Sequence, residues 1–369
     1  MGGWLTGQGF WRRGRAGVLR LLLAVLVVLP VWLQAETLRV LSLNAEWFPG
    51  RVPEPSPAER ARHLVAVQRM LYEVNPDLWL VQEVQRPEAF PLAFAVLPDY
   101  ALYRVSDFRT GLHEAAMAGR LPLREADAHK WRTGDPDNEP PRGVVYGAVE
   151  LPDGRVLLVF TLHMKSNFTG YEDYDPVRNV AMREAEAELF VAYAAARRAA
   201  FADDAVAGVL LGGDLNVLHP RSLFRGERTL SILEAAGFQH LGGYGVDHFF
   251  GIGLERTGFR VLTEYNVSDH RGLLLEIPLP EGVPIARAPR RSPSETAALA
   301  GEVRTNINTA GPGELRSLPG IGPVLAERII ANRPFASVQE LVEVLGIGPV
   351  TLEIMAPYMK VQSPDADAQ

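Results

Sequence analysis

Side chains of the types used in hydrolytic chemistry follow the β-rich runs of this sequence, at the points where those runs end. They are Asn44, Glu46, Glu83, His163, Asp214, Asn216, Asp247, Asp269 and His270. Open α/β sheets bind ligands at the carboxyl ends of their strands, so these side chains could converge on one site. Carboxylate and amide oxygens suit Mg²⁺ or Mn²⁺, and histidines beside them could transfer protons and contact phosphate.

The elements that must position these residues form an α/β pattern between residues 36 and 280. Apolar β-rich runs are predicted as strands at 37–43, 78–84, 144–151, 155–162, 206–211, 246–250, 259–265 and 272–277. Ser56 followed by Pro57 predicts a helix start, with the helix continuing to about residue 74, and a long helix is predicted from 176 to 200. Strands, hairpins and helices in this mixture indicate two sheets covered by helices. The Gly-, Pro- and charge-rich residues 104–142 are interpreted as long surface loops near the site.

The remaining histidines have a simpler interpretation. Those expected at the surface, on helices or loops, are His63, His113, His129, His219 and His240. His248 is expected to pack beside the site in a structural role. Arg178 and Arg183, on the long helix, are interpreted as surface or structural residues.

Composition bounds the class of protein. The chain has 369 residues, of which 47% are hydrophobic and 22% charged, as in globular proteins of about two domains. It has no cysteine, which excludes disulfides, zinc-thiolate sites and thiol nucleophiles. The net charge of -7 provides no global positive field for nucleic acid, so phosphate contacts must come from a cation, local arginines or backbone amides.

The first 35 residues are predicted to be a secretory signal peptide. Four arginines precede the apolar run 21–33, and Ala35 ends it. Thirteen residues are fewer than the roughly 20 that span a bilayer. The alternative is an uncleaved anchor starting at Val18. We therefore expect a protein exported to the periplasm or the medium, with no other membrane segment.

The C-terminal part is predicted to be a separate small helical domain. Residues 281–302 have a Pro- and Arg-rich linker composition. Beyond them, LPGIGPVLAE (318–327) matches VLGIGPVTLE (344–353) at six of ten positions. Each copy reads as a Gly-x-Gly turn followed by a helix, so 303–360 is predicted to be a pair of helical hairpins, followed by a disordered tail over 361–369.

Six ordered motifs resemble those of the endonuclease/exonuclease/phosphatase superfamily. They are LSLNAEW (41–47), VQEV (81–84), TLHMKSN (161–167), GGDLNV (212–217), VDHFF (246–250) and VSDHRGLLLEI (267–277). The resemblance implies a four-layer α/β sandwich, in which two mixed sheets pack face to face with helices outside. Glu46 departs from the pattern, because many relatives carry aspartate or glutamine there.

The same resemblance implies roles for the site residues. Glu83 would be the principal metal ligand, Asn44 would complete the metal and phosphate environment, and Asp269 would serve this metal or a second one. The catalytic set would be His163, Asp214, Asn216, Asp247 and His270. Asp214 would orient or deprotonate the attacking water, with Asn216 holding the phosphate or Asp214 itself. His270, oriented by Asp247, would contact the scissile phosphate, and His163 would face the leaving group. Arg142 is either a phosphate clamp or a solvated loop residue.

The C-terminal repeat resembles the helix-hairpin-helix pairs of bacterial competence DNA receptors. INTA (307–310), ELRSLPGIGP (314–323), PFASVQEL (334–341) and GIGP (346–349) carry the resemblance. It implies sequence-independent DNA binding through backbone amides at Gly320, Gly322, Gly346 and Gly348. Ile321 and Ile347 are expected in the core. Five basic and five acidic residues between 303 and 360 predict weak binding with a shallow salt dependence. The alternative is a hairpin pair used for protein contacts or stability.

Together these patterns predict an exported Mg²⁺- or Mn²⁺-dependent phosphodiesterase that cuts DNA internally and holds it through the C-terminal module. Two alternatives remain at this point. One is an extracellular phosphoesterase acting on a phospholipid or small phosphoester. The other is a non-catalytic DNA-uptake binder, against which the complete set of site residues argues.

Overall fold

A computed structural model describes residues 36–108, 113–135, 139–167, 175–280, 284–293, 296, 305–316, 318, 321–349, 352, 356 and 359–361. The predicted signal peptide, the predicted C-terminal tail beyond residue 361 and Gly320 lie outside these residues. Within them, none of the helices has both the length and the hydrophobicity that crossing a membrane requires.

Twelve strands form two six-stranded sheets. The first contains, in spatial order, Gly258–Leu262 (β11), Gly272–Pro278 (β12), Thr37–Phe48 (β1), Leu78–Val84 (β2), Glu114–Gly119 (β4) and Ala101–Val105 (β3). The second contains Leu123–Lys130 (β5), Gly143–Glu150 (β6), Val156–His163 (β7), Val206–Asp214 (β8), Asp247–Ile252 (β10) and Gln239–Tyr244 (β9). Both are mixed sheets, because β1 with β2 and β7 with β8 pair in parallel and the other neighbours pair antiparallel.

Four α-helices belong to this part of the chain: Pro57–Val74 (α1), Phe90–Ala93 (α2), Pro176–Arg198 (α3) and Thr229–Ala235 (α4). Short 3₁₀ helices cover Pro87–Ala89 and Asp203–Ala205. Helix α1 begins where the sequence predicts, because Ser56 and Glu59 form a reciprocal capping box that satisfies free amides of the first turn. Helix α3 is capped by the Asp175 carboxylate, which accepts from the amides of Val177 and Arg178.

Strand alternation divides the core into three layers. Leu80 and its inward neighbours pack against residues of the second sheet such as Val159. Trp79 faces the other side of the first sheet and packs in the layer under α1, while Phe160 packs under α3 beside Phe190. The order helix, sheet, sheet, helix confirms the predicted four-layer α/β sandwich.

The prediction of loops over residues 104–142 was wrong for much of that stretch, which contains β4 and β5. Strand β4 reads EAAMAG and is fully buried, so its small side chains give no β-branched signal. Strand β5 reads LREADAHK, lies at a sheet edge and is largely polar. Both strands are fixed by pairing with neighbours, β4 between β2 and β3 and β5 with β6.

Part of the predicted linker packs on the catalytic domain. Residues 284–293, which we call the strap, place Ile285 in the core between the sheets. The Arg287 guanidinium donates to both carboxylate oxygens of Asp77 at 2.8 and 2.9 Å, and also contacts Glu36 and the carbonyl of Thr37. Asp77 precedes β2 and is fully buried, so the strap is tied to the end of the sheet where β1 and β2 begin.

The C-terminal region has its own small core. It contains Pro312–Arg316 (α5), Pro323–Ala331 (α6), a 3₁₀ helix at Val338–Glu343, and the two-residue strands Thr305–Asn306 (β13) and Met359–Lys360 (β14). The two strands pair in parallel, an addition to the predicted all-helical domain that joins its two ends. Ile321 and Ile347 are 5% and 2% exposed, which confirms that they are core residues.

Candidate active site

Strand register brings the predicted residues to one end of the two sheets. In the first sheet Asn44 of β1 lies opposite Gln82 of β2, one residue before Glu83. In the second sheet Asp214 of β8 has His163 of β7 on one side and Asp247 of β10 on the other. Because parallel strands end at the same edge, residues far apart in the chain become neighbours there.

Asn44 connects the two sheets. Its amide nitrogen donates to Glu83 Oε1 and to Asp214 Oδ2, both at 3.1 Å. Its amide oxygen accepts from the backbone amide of Glu46. Asn44 is 1% exposed, so these bonds fix the two carboxylates relative to each other. In this arrangement its amide nitrogen links the two carboxylates, and its part in the metal environment stays a prediction.

Asp247 orients the ring of His270. Its Oδ2 lies 2.6 Å from His270 Nδ1, and His270 Nε2 lies 3.8 Å from Asp214 Oδ2. Partial burial alone would lower the pKa of His270, but the bond and charge of Asp247 outweigh it and raise the pKa to about 10. Burial raises the pKa of Asp247 itself. The geometry therefore presents a charged imidazolium to the cavity.

Asp214 is held from several sides. Its Oδ1 accepts from the backbone amide of Asn216 at 2.9 Å, in addition to the bond from Asn44. Burial, followed by the nearby Asp247 carboxylate, raises its pKa to about 7. The Asn216 side chain donates to the carbonyl of Met164, so Asn216 holds Asp214 through its backbone and the loop after β7 through its side chain.

A buried network fixes the loop after β7. Arg183 is fully buried and donates to Glu227, to the carbonyl of Lys165 and to Asn167 Oδ1. Asn167 in turn donates to the carbonyl of Asn216. Arg183 is thus structural, as expected, and it positions the loop that follows His163.

His163 is a neutral imidazole. Burial, with Arg142 nearby, lowers its pKa well below the ordinary value. Its Nε2 lies 3.5 Å from Asp214 Oδ2 and 3.8 Å from Glu83 Oε1, while Nδ1 is buried and has no hydrogen-bond partner among the described residues. A buried N–H without an acceptor is costly, so the proton belongs on Nε2, which faces the carboxylates.

Glu83, His163, Asp214, Asn216 and His270 line a cavity of about 660 Å³. Its lining also includes cationic and hydroxyl side chains that suit an anionic substrate: Arg51, Arg142, Lys165 and Ser166. Arg142 is 7% exposed and its guanidinium lies 3.5 Å from the carbonyls of His163 and Met164, so it is a cavity residue rather than a solvated loop residue.

Two further acids, Glu46 and Asp269, belong to the lining. Glu46 Oε2 accepts from Arg51 Nε at 2.6 Å and from the backbone amide of Asp269 at 2.9 Å. These bonds occupy that oxygen and orient the segment carrying Asp269. Glu46 therefore supports the site, and Asp269 lines the cavity with its carboxylate near Ser268.

His113 was wrongly expected at the surface and lines the cavity. Its Nδ1 lies 3.4 Å from Glu83 Oε2, and its ring centroid lies 3.9 Å from that of Trp47. Burial would raise the pKa of Glu83, but the contact with His113 and the nearby His163 outweigh it, leaving that pKa well below the ordinary value. No motif of the sequence marks His113, because its position depends on the unexpected strand β4 that follows it.

The surface interpretation was also wrong for His63, whereas His219 and His240 are partly exposed. His63 is 4% exposed, and its Nδ1 accepts from the amide of Gly50. His219 stacks on His240 at 3.7 Å, and His240 contacts His248 at 3.3 Å. His248 contacts the carbonyl of Val217, the structural role predicted for it, and His129 is exposed as expected.

Backbone strain is concentrated at this cavity. Seven described non-glycine residues have positive φ, and six of them line it: Glu46, Trp47, Arg51, Glu83, His113 and Asn216. Such conformations are rare for side chains other than Asn, Asp or Gly, and they cluster at functional sites where the surrounding structure enforces them.

The donor set fits a divalent cation. Glu83, Asp214 and Asp269 present carboxylates to one cavity. Two groups of candidate ligands lie close together among the described residues: Glu83 with His113 and His163, and Asp214 with Asp247 and His270. Because Asp247 and Asp214 are engaged with His270, Glu83 is the better placed ligand.

The fold and the site define a phosphoester-hydrolysing class of protein. The model of the endonuclease/exonuclease/phosphatase family matches residues 41–270, and the chain belongs to this family. Members of the family hydrolyse phosphoester bonds and depend on divalent metal ions. A helix-hairpin-helix motif matches residues 301–360, as the repeat predicted.

Solved structures show the same fold at low sequence identity. An endonuclease/exonuclease/phosphatase family protein from Bacteroides thetaiotaomicron is 16% identical with a TM-score of 0.50, over 69% of this chain and 99% of its own. The catalytic domain of human Nocturnin is 14% identical with a TM-score of 0.50, over 66% of this chain and 93% of its own. No curated protein sequence matches the chain significantly.

Proposed function

We propose that this protein is an exported, divalent-metal-dependent nuclease that hydrolyses phosphodiester bonds within DNA. The observation that carries the proposal is the array Asp247, His270 and Asp214, which Asn44 links to Glu83 at one cavity. The helix-hairpin-helix motif in the same chain supports DNA as the substrate.

Asp214 is the residue that accepts the proton of the attacking water. Asn44 and the amide of Asn216 hold its carboxylate in one orientation, with little freedom to rotate. A fixed general base within reach of a bound water lowers the barrier by positioning as well as by proton transfer. Removing the Asp214 carboxylate should therefore remove the nucleophile's activation without unfolding the domain.

His270 and His163 act on the phosphate. His270, held charged by Asp247, contacts a non-bridging oxygen and stabilises the negative charge of the transition state. His163 carries its proton on Nε2 and faces the same space, where it donates to the leaving oxygen. Arg142 and Lys165 line the cavity and favour an anionic substrate.

The metal ion would be held by Glu83, and Asp269 offers a further carboxylate in the same cavity. When bound, a divalent cation neutralises negative charge on the scissile phosphate. Glu83 is suited to this role because its two oxygens are oriented by Asn44 and by the amide of Trp47.

The C-terminal region would hold DNA weakly and without sequence preference. Gly322 is the N-cap residue of α6 and makes no side-chain cap, which leaves backbone amides available to a phosphate. A Cβ atom at Gly322 or Gly348 would meet nothing within 4 Å, so both positions are open to close approach. Arg328 and Arg333 donate to backbone carbonyls within this region, which leaves few cations for DNA.

Export rests on the N-terminal sequence. Residues 12–35 combine basic residues, an apolar run and a small residue at its end. Fractionation of cells expressing the full chain, with sequencing of the mature N-terminus, tests this directly. Recovery of an uncleaved protein in the cytoplasm would contradict export.

The activity is tested on supercoiled plasmid with the 36–369 protein and Mg²⁺ or Mn²⁺, with EDTA as the control. We expect nicked and then linear DNA, because internal cutting relaxes a plasmid before it degrades it. The Asp214→Ala and His270→Ala variants should be inactive, and Asp204→Ala, which removes an exposed carboxylate, should be fully active. No cleavage of plasmid, linear DNA or RNA by a folded, metal-loaded protein would refute the proposal.

A further inference from the structure

His113 stands out as a buried cavity residue that no motif explains. Its side chain is 15% exposed, and it is held in a left-handed backbone conformation with φ 56°. The Trp47 ring packs against it and fixes its Nδ1 toward Glu83 Oε2 at 3.4 Å. The surrounding structure thus enforces a strained conformation that directs one imidazole nitrogen at the principal candidate metal ligand.

The distance between these atoms suits two ligands of one ion. A charge-assisted N–H···O bond is typically about 2.7–2.9 Å long. Adjacent ligands on an octahedral ion with bonds of about 2.1–2.2 Å lie roughly 3.0–3.1 Å apart, so a movement of a few tenths of an ångström would let both atoms bind one ion. His113 Nδ1 is buried and lacks a well-formed hydrogen bond among the described residues, as expected for a nitrogen whose lone pair is meant for a cation.

The tautomers distinguish His113 from His163. In His163 the nitrogen without a partner is Nδ1, and Nε2 is the nitrogen that faces Glu83. If Nε2 bound the ion, the proton would have to move to Nδ1, which is buried and has no acceptor among the described residues. In His113 the unpartnered nitrogen is the one that faces Glu83. Its Nε2 is not buried without a partner, so it can carry the proton.

We propose that His113 Nδ1 is a ligand of the divalent cation held by Glu83, and that this imidazole makes the site select Mn²⁺ over Mg²⁺. The inference rests on the proposed metal site at Glu83 but not on the substrate. Imidazole nitrogen suits first-row transition metals, whereas Mg²⁺ prefers oxygen ligands and water.

The test measures metal binding directly, on the 36–369 protein. Pulsed electron paramagnetic resonance of bound Mn²⁺ detects coupling to a coordinated ¹⁴N nucleus, and calorimetry gives Mn²⁺ and Mg²⁺ affinities. The main variant is His113→Asn, because asparagine tolerates positive φ, with His113→Gly as a second variant should the first not fold. His129→Asn removes an exposed histidine and is the matched control.

We expect nitrogen coupling in the wild type and in His129→Asn, and its loss in His113→Asn. The same variant should bind Mn²⁺ at least about tenfold more weakly, while its Mg²⁺ affinity changes by less than about threefold. Coupling that survives in both His113 variants would assign the nitrogen to another residue and overturn the proposal. Equal losses for both ions, with no coupling in the wild type, would also overturn it, since His113 would then only orient Glu83.

These outcomes are separate from those of the nuclease assay. A protein that binds Mn²⁺ through His113 but cleaves no nucleic acid would refute the proposed substrate and leave the metal assignment intact. A protein that cleaves DNA but shows no nitrogen coupling would support the proposed substrate and refute the metal assignment.

Discussion

Replacing Arg287 with alanine tests whether the strap is part of the folded catalytic domain. The Arg287 guanidinium makes four hydrogen bonds, to both oxygens of Asp77, to Glu36 and to the carbonyl of Thr37. Asp77 is fully buried, so loss of a charged partner leaves a carboxylate that water reaches poorly. A linker that merely connected two domains would show no such dependence.

The size of the expected destabilisation depends on the hydrogen-bond partners that Asp77 retains in the variant. Hydrogen bonds to charged groups contribute about 1.5–3 kcal/mol each. The sum over the four bonds of Arg287 is therefore an upper limit for the loss in the free energy of unfolding, and the expected loss lies well below it. Asp77 retains the amide of Arg39 at 2.8 Å and the guanidinium of Arg120 at 3.2 Å, and the Glu36 side chain is 31% exposed and can be hydrated. We therefore expect Arg287→Ala to lower the free energy of unfolding by roughly 2–4 kcal/mol.

The assay is urea and thermal unfolding of the 36–369 protein, followed by circular dichroism. The expected loss corresponds to a decrease in Tm of roughly 5–12 °C for a domain of this size. Arg291→Ala is the matched control, because Arg291 lies in the same strap with an exposed side chain. If Arg287→Ala destabilised the protein no more than Arg291→Ala, the strap contacts would not contribute to stability and the reasoning would be refuted.

Three further predictions concern pH and charge. In Asp247→Asn the pKa of His270 should fall from about 10 toward its ordinary value near 6.5. The rate of cleavage at pH 8 should then drop roughly 30-fold, and the rate should decrease with rising pH on the alkaline side of the pH–rate profile. An unchanged profile would exclude a charged His270. Burial lowers the pKa of His63 and His248 to about 4. The unfolded state therefore binds more protons than the folded state below pH 6.5. Each of the two histidines should lower the free energy of unfolding by roughly 3 kcal/mol as the pH falls from 6.5 to 4, as measured by urea unfolding. His248→Gln should reduce the number of protons taken up on unfolding by about one. Val324→Lys changes an exposed position of α6 and should tighten DNA binding. In a fluorescence anisotropy titration, the slope of the logarithm of the DNA-binding constant against the logarithm of the salt concentration should become steeper by about 0.9. No change would favour the hairpins as a protein-contact or stability element.

The chemistry of the site was largely determined by the sequence. Local signals sufficed where one segment carries the whole pattern: Ser56, Pro57 and Glu59 specify the start of α1, and apolar runs specify the central strands β1, β2, β7 and β8. Because polar residues directly after such runs lie at the carboxyl ends of strands, the sequence alone groups Glu83, Asp214 and their companions at one site. The repeat at 318–327 and 344–353 likewise identified the helix-hairpin-helix region.

The tertiary structure decided what depends on contacts between distant segments. Strand β4 is built from small residues and exists because β2 and β3 flank it, so the position of His113 beside Glu83 was not visible in the sequence. The strap has the composition of a linker, yet Arg287 meets a buried carboxylate 210 residues earlier in the chain. In both cases the stabilising free energy comes from burial and from pairing between segments that are distant in the chain. Such contacts produce no local pattern of residues from which they could be predicted.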